Sequence, residues 1–268
     1  MWIYIVLLLY LWYNKSTMII QLFKNGIDGE TVIYVVAFLI AVMFSISIHE
    51  FAHGYVANKM GDDTAKRLGR LTLNPLAHLD VFGTLAFFVF GFGWAKPVPI
   101  NPIKFKEYRK GIFLTSIAGI VANIFFAFFG AGLYVLTYRL SLLVSGQFLT
   151  FLTTFFKILF GQILYINLQL AIFNLIPIFP LDGFNILYSL TREGNKVIRF
   201  FQRYGNYLLI GILIFVSVIE PYLPFLDGGS LMFYLANLIA VPMQDFWFFG
   251  LYSLFIWKKS FWSDICKR

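Results

Sequence analysis

Apolar residues in this chain come in long runs rather than at amphipathic spacing. Five regions stand out, roughly 31–57, 79–94, 112–138, 148–177 and 205–257, the last interrupted near Glu220 to Gly229. Runs of 20 or so apolar residues match the thickness of a bilayer core when wound as helix. The pattern predicts an all-α polytopic membrane protein with about five to six transmembrane helices. One region does not fit a spanning helix. Residues 79–94 are short, hold Gly83, Gly91 and Gly93, and run into Pro97, Pro99 and Pro102. Glycines and prolines at that density suit a bent segment, so a re-entrant hairpin is expected near 79–94. Irregular backbone at that depth is tolerated only against protein or a wet cavity.

Composition agrees with a membrane protein. Hydrophobic residues make up 60% of the chain and charged ones 13%, against about a quarter charged in an ordinary globular domain. The net charge of +8 would suggest nucleic acid in a soluble protein. Here most of the Lys and Arg gather in four places: 59–70, 96–110, 192–203 and the C-terminal end. No long block of like charge accompanies them, so no nucleic-acid partner is expected; the partner is the lipid bilayer. The positive-inside rule puts those four regions in the cytoplasm, and the loops 139–147 and 220–230 outside. Both flanks of 79–94 are then cytoplasmic, which again requires a segment that enters the membrane and returns. The organisation read from this is an N-terminal segment 1–30, a single membrane-embedded domain 31–257, and a cytoplasmic tail 258–268. Within the first, residues 1–13 are apolar but short for a span. They are open to two readings, an extra anchor or a stretch upstream of a start at Met18. The single cysteine, Cys266, excludes an internal disulfide and a thiolate metal cage.

The chemistry lies in His49-Glu50-Phe51-Ala52-His53. Between Thr31 and Tyr55 these are the only ionisable side chains apart from tyrosines. Histidines four apart share a helix face and can reach one ion, while the Glu between them can handle a proton from water at that ion. Such groups are costly in hydrocarbon and mark function there by default. The bland alternative is histidines satisfied by helix neighbours. Catalytic zinc usually takes three protein ligands. Glu107, Glu193 and Glu220 fall in loops and His78 near a membrane edge, which leaves Asp182 in Asn174-Leu175-Ile176-Pro177-Ile178-Phe179-Pro180-Leu181-Asp182-Gly183 as the best third ligand. Two prolines break the fourth helix there, and the charge pattern puts this kink and His53 at the same cytoplasmic depth. Alone, this segment reads equally as a helix-ending Asp with a Pro turn.

His-Glu-Phe-Ala-His followed by Phe-Asn-Leu-Ile-Pro-Ile-Phe-Pro-Leu-Asp-Gly resembles the site-2 protease family of intramembrane zinc metalloproteases. The runs 69–83 and Phe92-Gly93-Trp94-Ala95-Lys96-Pro97-Val98-Pro99 resemble its compact bacterial and archaeal branch, which lacks a PDZ or CBS module. The resemblance covers about 31–220. It implies one Zn2+ per chain held by His49, His53 and Asp182, with Glu50 as catalytic base and Asn174 holding substrate or oxyanion. The family's small-residue helix motif is matched by Ala118-Gly119-Ile120-Val121-Ala122-Asn123, with Ile120 where a Pro usually stands. Asn123 has two readings, substrate contact or interhelical packing with Gly119. The expected activity is hydrolysis of peptide bonds in single-pass transmembrane protein substrates near the cytoplasmic face of the cell membrane. The alternative class is a membrane metal transporter or metal-binding protein using the same His/Asp site; a transporter should show more polar residues across the membrane. A prenyl-protein type of His-Glu-x-x-His peptidase would need a glutamate ligand on a later helix. His78 is expected to be structural, Asn74, Pro75 and Asp80 to be turn residues, and the aromatic residues, including Trp94, Trp247 and Trp257, to face lipid or its interface. Lys157 and Asp245 are left without a role.

Overall fold

The structure is a computed structural model describing residues 29–80, 82–83, 96–192, 194–215 and 231–265, with side chains through 212, at 215 and over 231–250. Seven α-helices lie among the described residues: α1 Gly29–Met60, α2 Thr64–Arg67, α3 Tyr108–Ser141, α4 Gln147–Leu175, α5 Asp182–Leu190, α6 Lys196–Ile214 and α7 Leu231–Ile265. Single 3-10 turns at Pro75–His78 and Pro102–Lys104 interrupt the loops. α1, α3, α4 and the Leu231–Gly250 part of α7 are long and apolar enough to cross a membrane. The chain is an all-α polytopic membrane protein; α1 and α3 overrun the apolar stretches that predicted them by a few residues at each end, while α4 stops at Leu175, short of its stretch. The expected count of five to six is met by four among the described residues. The predicted break near Glu220, the N-terminal segment before Gly29, and the hairpin (residue 81 and 84–95) lie outside them.

The three central helices form the core. Ala37, Phe38, Ala41, Val42 and Ile46 of α1 pack on Leu159, Ile163, Ile166, Leu170 and Phe173 of α4. Ala127 and Ala131 of α3 meet Leu164 and Leu168 of α4, with Ala236 and Ala240 of α7 completing that cluster. Lipid tails are as apolar as these side chains, so close backbone approach and dispersion contacts carry the association. Gly130 shows how close: a Cβ there would stand 2.9 Å from Ile163 Cγ2 and 3.1 Å from the Leu164 backbone nitrogen. Trp247, half-buried, also has a partner within the protein. Its indole N–H donates to the Phe128 carbonyl at 3.0 Å, and the ring lies over Gly132. An indole N–H within the membrane needs an acceptor, and the missing side chain at Gly132 gives it access to a helix carbonyl. Trp94 lies outside the described residues, as does the side chain of Trp257.

The ends of the helices that carry the site are tied at one end of the bundle. The Lys106 amide donates to Met60 O at 2.9 Å, and Arg109 donates to Thr191 O, linking the start of α3 to the end of α5. Asp62, fully buried just past α1, accepts from the Asn101 amide at 2.6 Å and the Thr64 amide at 3.0 Å, and from the Thr64 hydroxyl. Burial opposes its ionisation, but these donors and nearby Lys104 outweigh it and hold the carboxyl below its ordinary range. The flanks of the 79–94 segment also adjoin. The Lys96 amide donates to His78 O at 2.8 Å, and Arg70 Nη2 reaches the carbonyls of Lys96 and Pro97.

Candidate active site

His49 and His53 sit one turn apart on α1, and both are buried, as is Glu50 between them. The helix places the two imidazoles edge to face with centroids 4.4 Å apart. Asp182 arrives from the other end of the chain. α4 stops at Leu175, a turn carries the chain through Pro177 and Pro180, and α5 begins on Asp182 itself. The turn is clamped from both sides. A Cβ on Gly183 would fall 2.3 Å from Leu175 O, and one on Gly205 of α6 would fall 2.5 Å from Phe179 O. Only glycines allow this stacking of backbone on backbone.

Three ligand atoms converge. His49 Nε2 and His53 Nε2 are 2.9 Å apart, and Asp182 Oδ2 lies 3.3 Å from the first and 3.2 Å from the second. Ligands of a tetrahedral zinc with bonds of about 2.0–2.1 Å stand about 3.3 Å from one another, so the triangle has the size of one face of such a site. The donor chemistry also fits. His53 Nδ1 lies 2.7 Å from Thr115 O, so its proton resides there and the Nε2 lone pair faces inward. Two imidazole nitrogens and a carboxylate oxygen with so few protons between them are satisfied together by a cation. Gly119 of α3 closes the back of the site: a Cβ there would be 2.5 Å from His53 Nε2 and 2.6 Å from His49 Cε1.

Glu50 stands apart from the three ligands. Its Oε2 accepts from the Val98 amide at 2.7 Å, while Oε1 is buried without a protein donor. Val98 is held there because its methyl packs against Gly54, one turn after Glu50, where a Cβ would come within 3.1 Å. One carboxylate oxygen is thereby anchored and the other left free. Glu50, His53 and Asp182 line a cavity of about 460 Å³, with His49 buried behind them. Pro97, Val98, Ile100, Phe105, Ile112, Phe179 and Phe184 form apolar walls; Thr115, Ser116, Asn174, Asn185, Tyr188 and Gln202 supply polar points.

The structure brings together His49, Glu50, His53, Asp182 and Asn174 of the residues singled out in the sequence. Asn174 lines the cavity and donates from Nδ2 to Leu170 O at 2.9 Å, which leaves its second N–H uncommitted. Asn123 is fully buried and does not line the cavity. His78 is apart from the ligand group; its Nε2 lies 2.9 Å from Thr72 O, and Asn74 caps its 3-10 turn. Lys157 and Asp245 line neither the cavity nor the metal-ligand group. Sequence reading missed the Val98 amide and the Thr115 carbonyl. The alternation Pro97-Val98-Pro99 does carry a signal for the first, since Val98 is the sole backbone donor in that triplet.

Residues 151–217, which include the turn with Asp182, match the family described as Peptidase family M50. Over 193 residues the chain is 42% identical to a Bacillus subtilis (strain 168) protein named "Putative zinc metalloprotease YwhC", covering 71% of this chain and 86% of that protein. No solved structure matches the chain by the same standard.

Proposed function

This chain belongs to peptidase family M50, the site-2 protease family, and from that premise we propose that it is an intramembrane zinc endopeptidase cutting single-pass membrane proteins near the cytoplasmic face of the cell membrane. The observation that carries the reading is the meeting, in a site between α1 and α5, of three ligand atoms with a buried carboxylate that is not one of them. A metalloprotease needs that division of labour; a transport site has no use for the fourth group.

His49, His53 and Asp182 would hold the zinc. When bound, zinc lowers the pKa of water toward neutrality and polarises the scissile carbonyl. Glu50, anchored through Oε2 by Val98, takes a proton at Oε1 as the water oxygen bonds to the carbonyl carbon. The free N–H of Asn174 is available to the oxygen on which negative charge develops. As the C–N bond breaks, the same proton passes from Glu50 to the departing amine, and acid and amine products separate. A transmembrane helix hides its peptide bonds, so the substrate must unwind to enter. The apolar walls of the cavity offer its side chains a place once it has done so.

The cytoplasmic orientation rests on the charge pattern of the loops. The test in the native host is quantitative comparison of membrane-protein fragments between wild type and Glu50→Gln. Cytoplasmic fragments of single-pass proteins should be depleted in the variant. Identical fragment profiles would refute the proteolytic reading.

A further inference from the structure

Among the buried polar atoms without a hydrogen-bond partner, four on α1, α3 and α4 are complementary in number and kind. The donors are His49 Nδ1, which must carry the proton if Nε2 faces a metal, and the amide nitrogen of Asn123. The acceptors are the side-chain oxygens of Asn123 and Asn167. Asn123 and Asn167 are both fully buried. In a membrane protein interior, orphaned amides and imidazole N–H groups are costly, and networks at such places are satisfied or rearranged.

The helix registers bring these atoms to one level. Gly119 of α3 touches both imidazoles, and Asn123 follows it by one turn on the same face, as Thr115 precedes it against His53. α3 thus runs antiparallel to α1, and Asn123 stands beside the stretch from Ser45 to His49. Asn167 of α4 reaches that stretch from the other side: its Nδ2 donates to Ser45 Oγ at 2.7 Å and to Ile163 O at 2.7 Å, and the Ser45 hydroxyl donates to Ala41 O at 2.6 Å. Both hydrogens of the Asn167 amide are then used, and its oxygen remains open.

We propose that Asn123 is a positioning residue for His49, its side-chain oxygen accepting the Nδ1–H of His49 across one buried water. The pairing fixes the imidazole in the tautomer and orientation that turn Nε2 toward the zinc, the part that Thr115 O plays for His53. The Asn123 amide then donates toward Asn167, and every orphan in the set is satisfied. A ligating histidine ordinarily has such a partner, and losing it typically costs about 10- to 100-fold in metal affinity. This inference rests on the zinc reading above, and it differs from a substrate role for Asn123.

The test is a chelator competition for zinc on the purified full-length chain, comparing wild type with Asn123→Leu and Asn123→Asp. Asn123→Leu should bind zinc about 10- to 100-fold more weakly, while Asn123→Asp, which keeps the acceptor, should bind as well as wild type or better. If Asn123→Leu does not accumulate in folded form, Asn123→Ala takes its place against Asn123→Asp in the same competition. Wild-type zinc affinity in the apolar variant overturns the proposal, whether or not its KM for substrate rises. Equal loss in the Leu and Asp variants overturns it too, since the acceptor would then not matter. A wild-type chain that binds no zinc would instead count against the proposed function.

Discussion

At the residue scale, the site depends on small groups that make room and backbone groups that hold. Gly119 makes room. With His53 pinned at Nδ1 by Thr115 O, a Cβ at 2.5 Å from Nε2 has to push the ring off the position it needs. Gly119→Ala should therefore lower zinc content at limiting metal and reduce cleavage by about 100-fold, the usual effect of an ångström-scale misplacement; metal analysis beside a cleavage assay checks it. Val98 holds. Val98→Pro removes the N–H that anchors Glu50 Oε2 without disturbing a metal ligand. Cleavage should fall about 10-fold, the equivalent of one charge-assisted hydrogen bond of about 1.5 kcal/mol, with zinc content unchanged. A parallel loss of zinc would show that Val98 acts on the ligands instead. The ligand pair and Glu50 were legible in the sequence because ionisable side chains in an apolar run have few reasons to be there. Thr115 and Val98 were not, because they act through backbone atoms that any residue carries.

At the scale of elements, the sequence marked where helices break but not how the breaks are fastened. Pro177, Pro180 and Gly183 predicted a kinked turn presenting Asp182, and the structure has one. The clamp by Gly205 of α6 on Phe179 O was not visible, since nothing in the chain says which helix a glycine will meet. Gly119 and Asn123 were legible as a packing face, but not as the wall behind two imidazoles. The hydrogen bond of Trp247 was not visible either, because an aromatic in an apolar run carries no mark of the carbonyl it finds. The junction of α1 with residues 101–104 rests on Asp62. Asp62→Ala would leave the Asn101 and Thr64 amides without their acceptor, at a cost of about 2–3 kcal/mol, read as a lower melting temperature. The same carboxyl gives the junction a pH dependence. Its folded pKa is below the unfolded value of about 3.9, so its stabilisation is fully present above that value. It should fade as pH falls through 3.9 toward the lower folded pKa. Acid melts of wild type and Asp62→Ala should converge over that interval; curves separated by a constant offset down to the lowest pH would exclude a role for its charge.

At the scale of the molecule, the apolar runs predicted the helices well because a bilayer demands a length that composition reveals. The topology depends on loop charge, and the contact between His78 and Lys96 is what the expected return of the intervening segment requires. Reporter fusions after Ala65, Phe105, Val197 and the C-terminus should all read cytoplasmic, and those after Leu143 and Leu226 external. A fusion after Phe105 reading external would require 79–94 to span. Proteolysis at this site, as proposed, depends on Glu50 being a base and not a ligand. The direct measurement uses the purified chain in lipid vesicles with a tagged single-pass substrate, following cleavage and bound zinc together for wild type and Glu50→Gln. Glutamine cannot accept the proton of water, and general-base catalysis contributes about 100- to 10,000-fold. The variant should keep about one zinc per chain, as the one three-ligand group among the described residues allows, and lose cleavage by that factor. Cleavage at the wild-type rate by zinc-loaded Glu50→Gln would contradict the account.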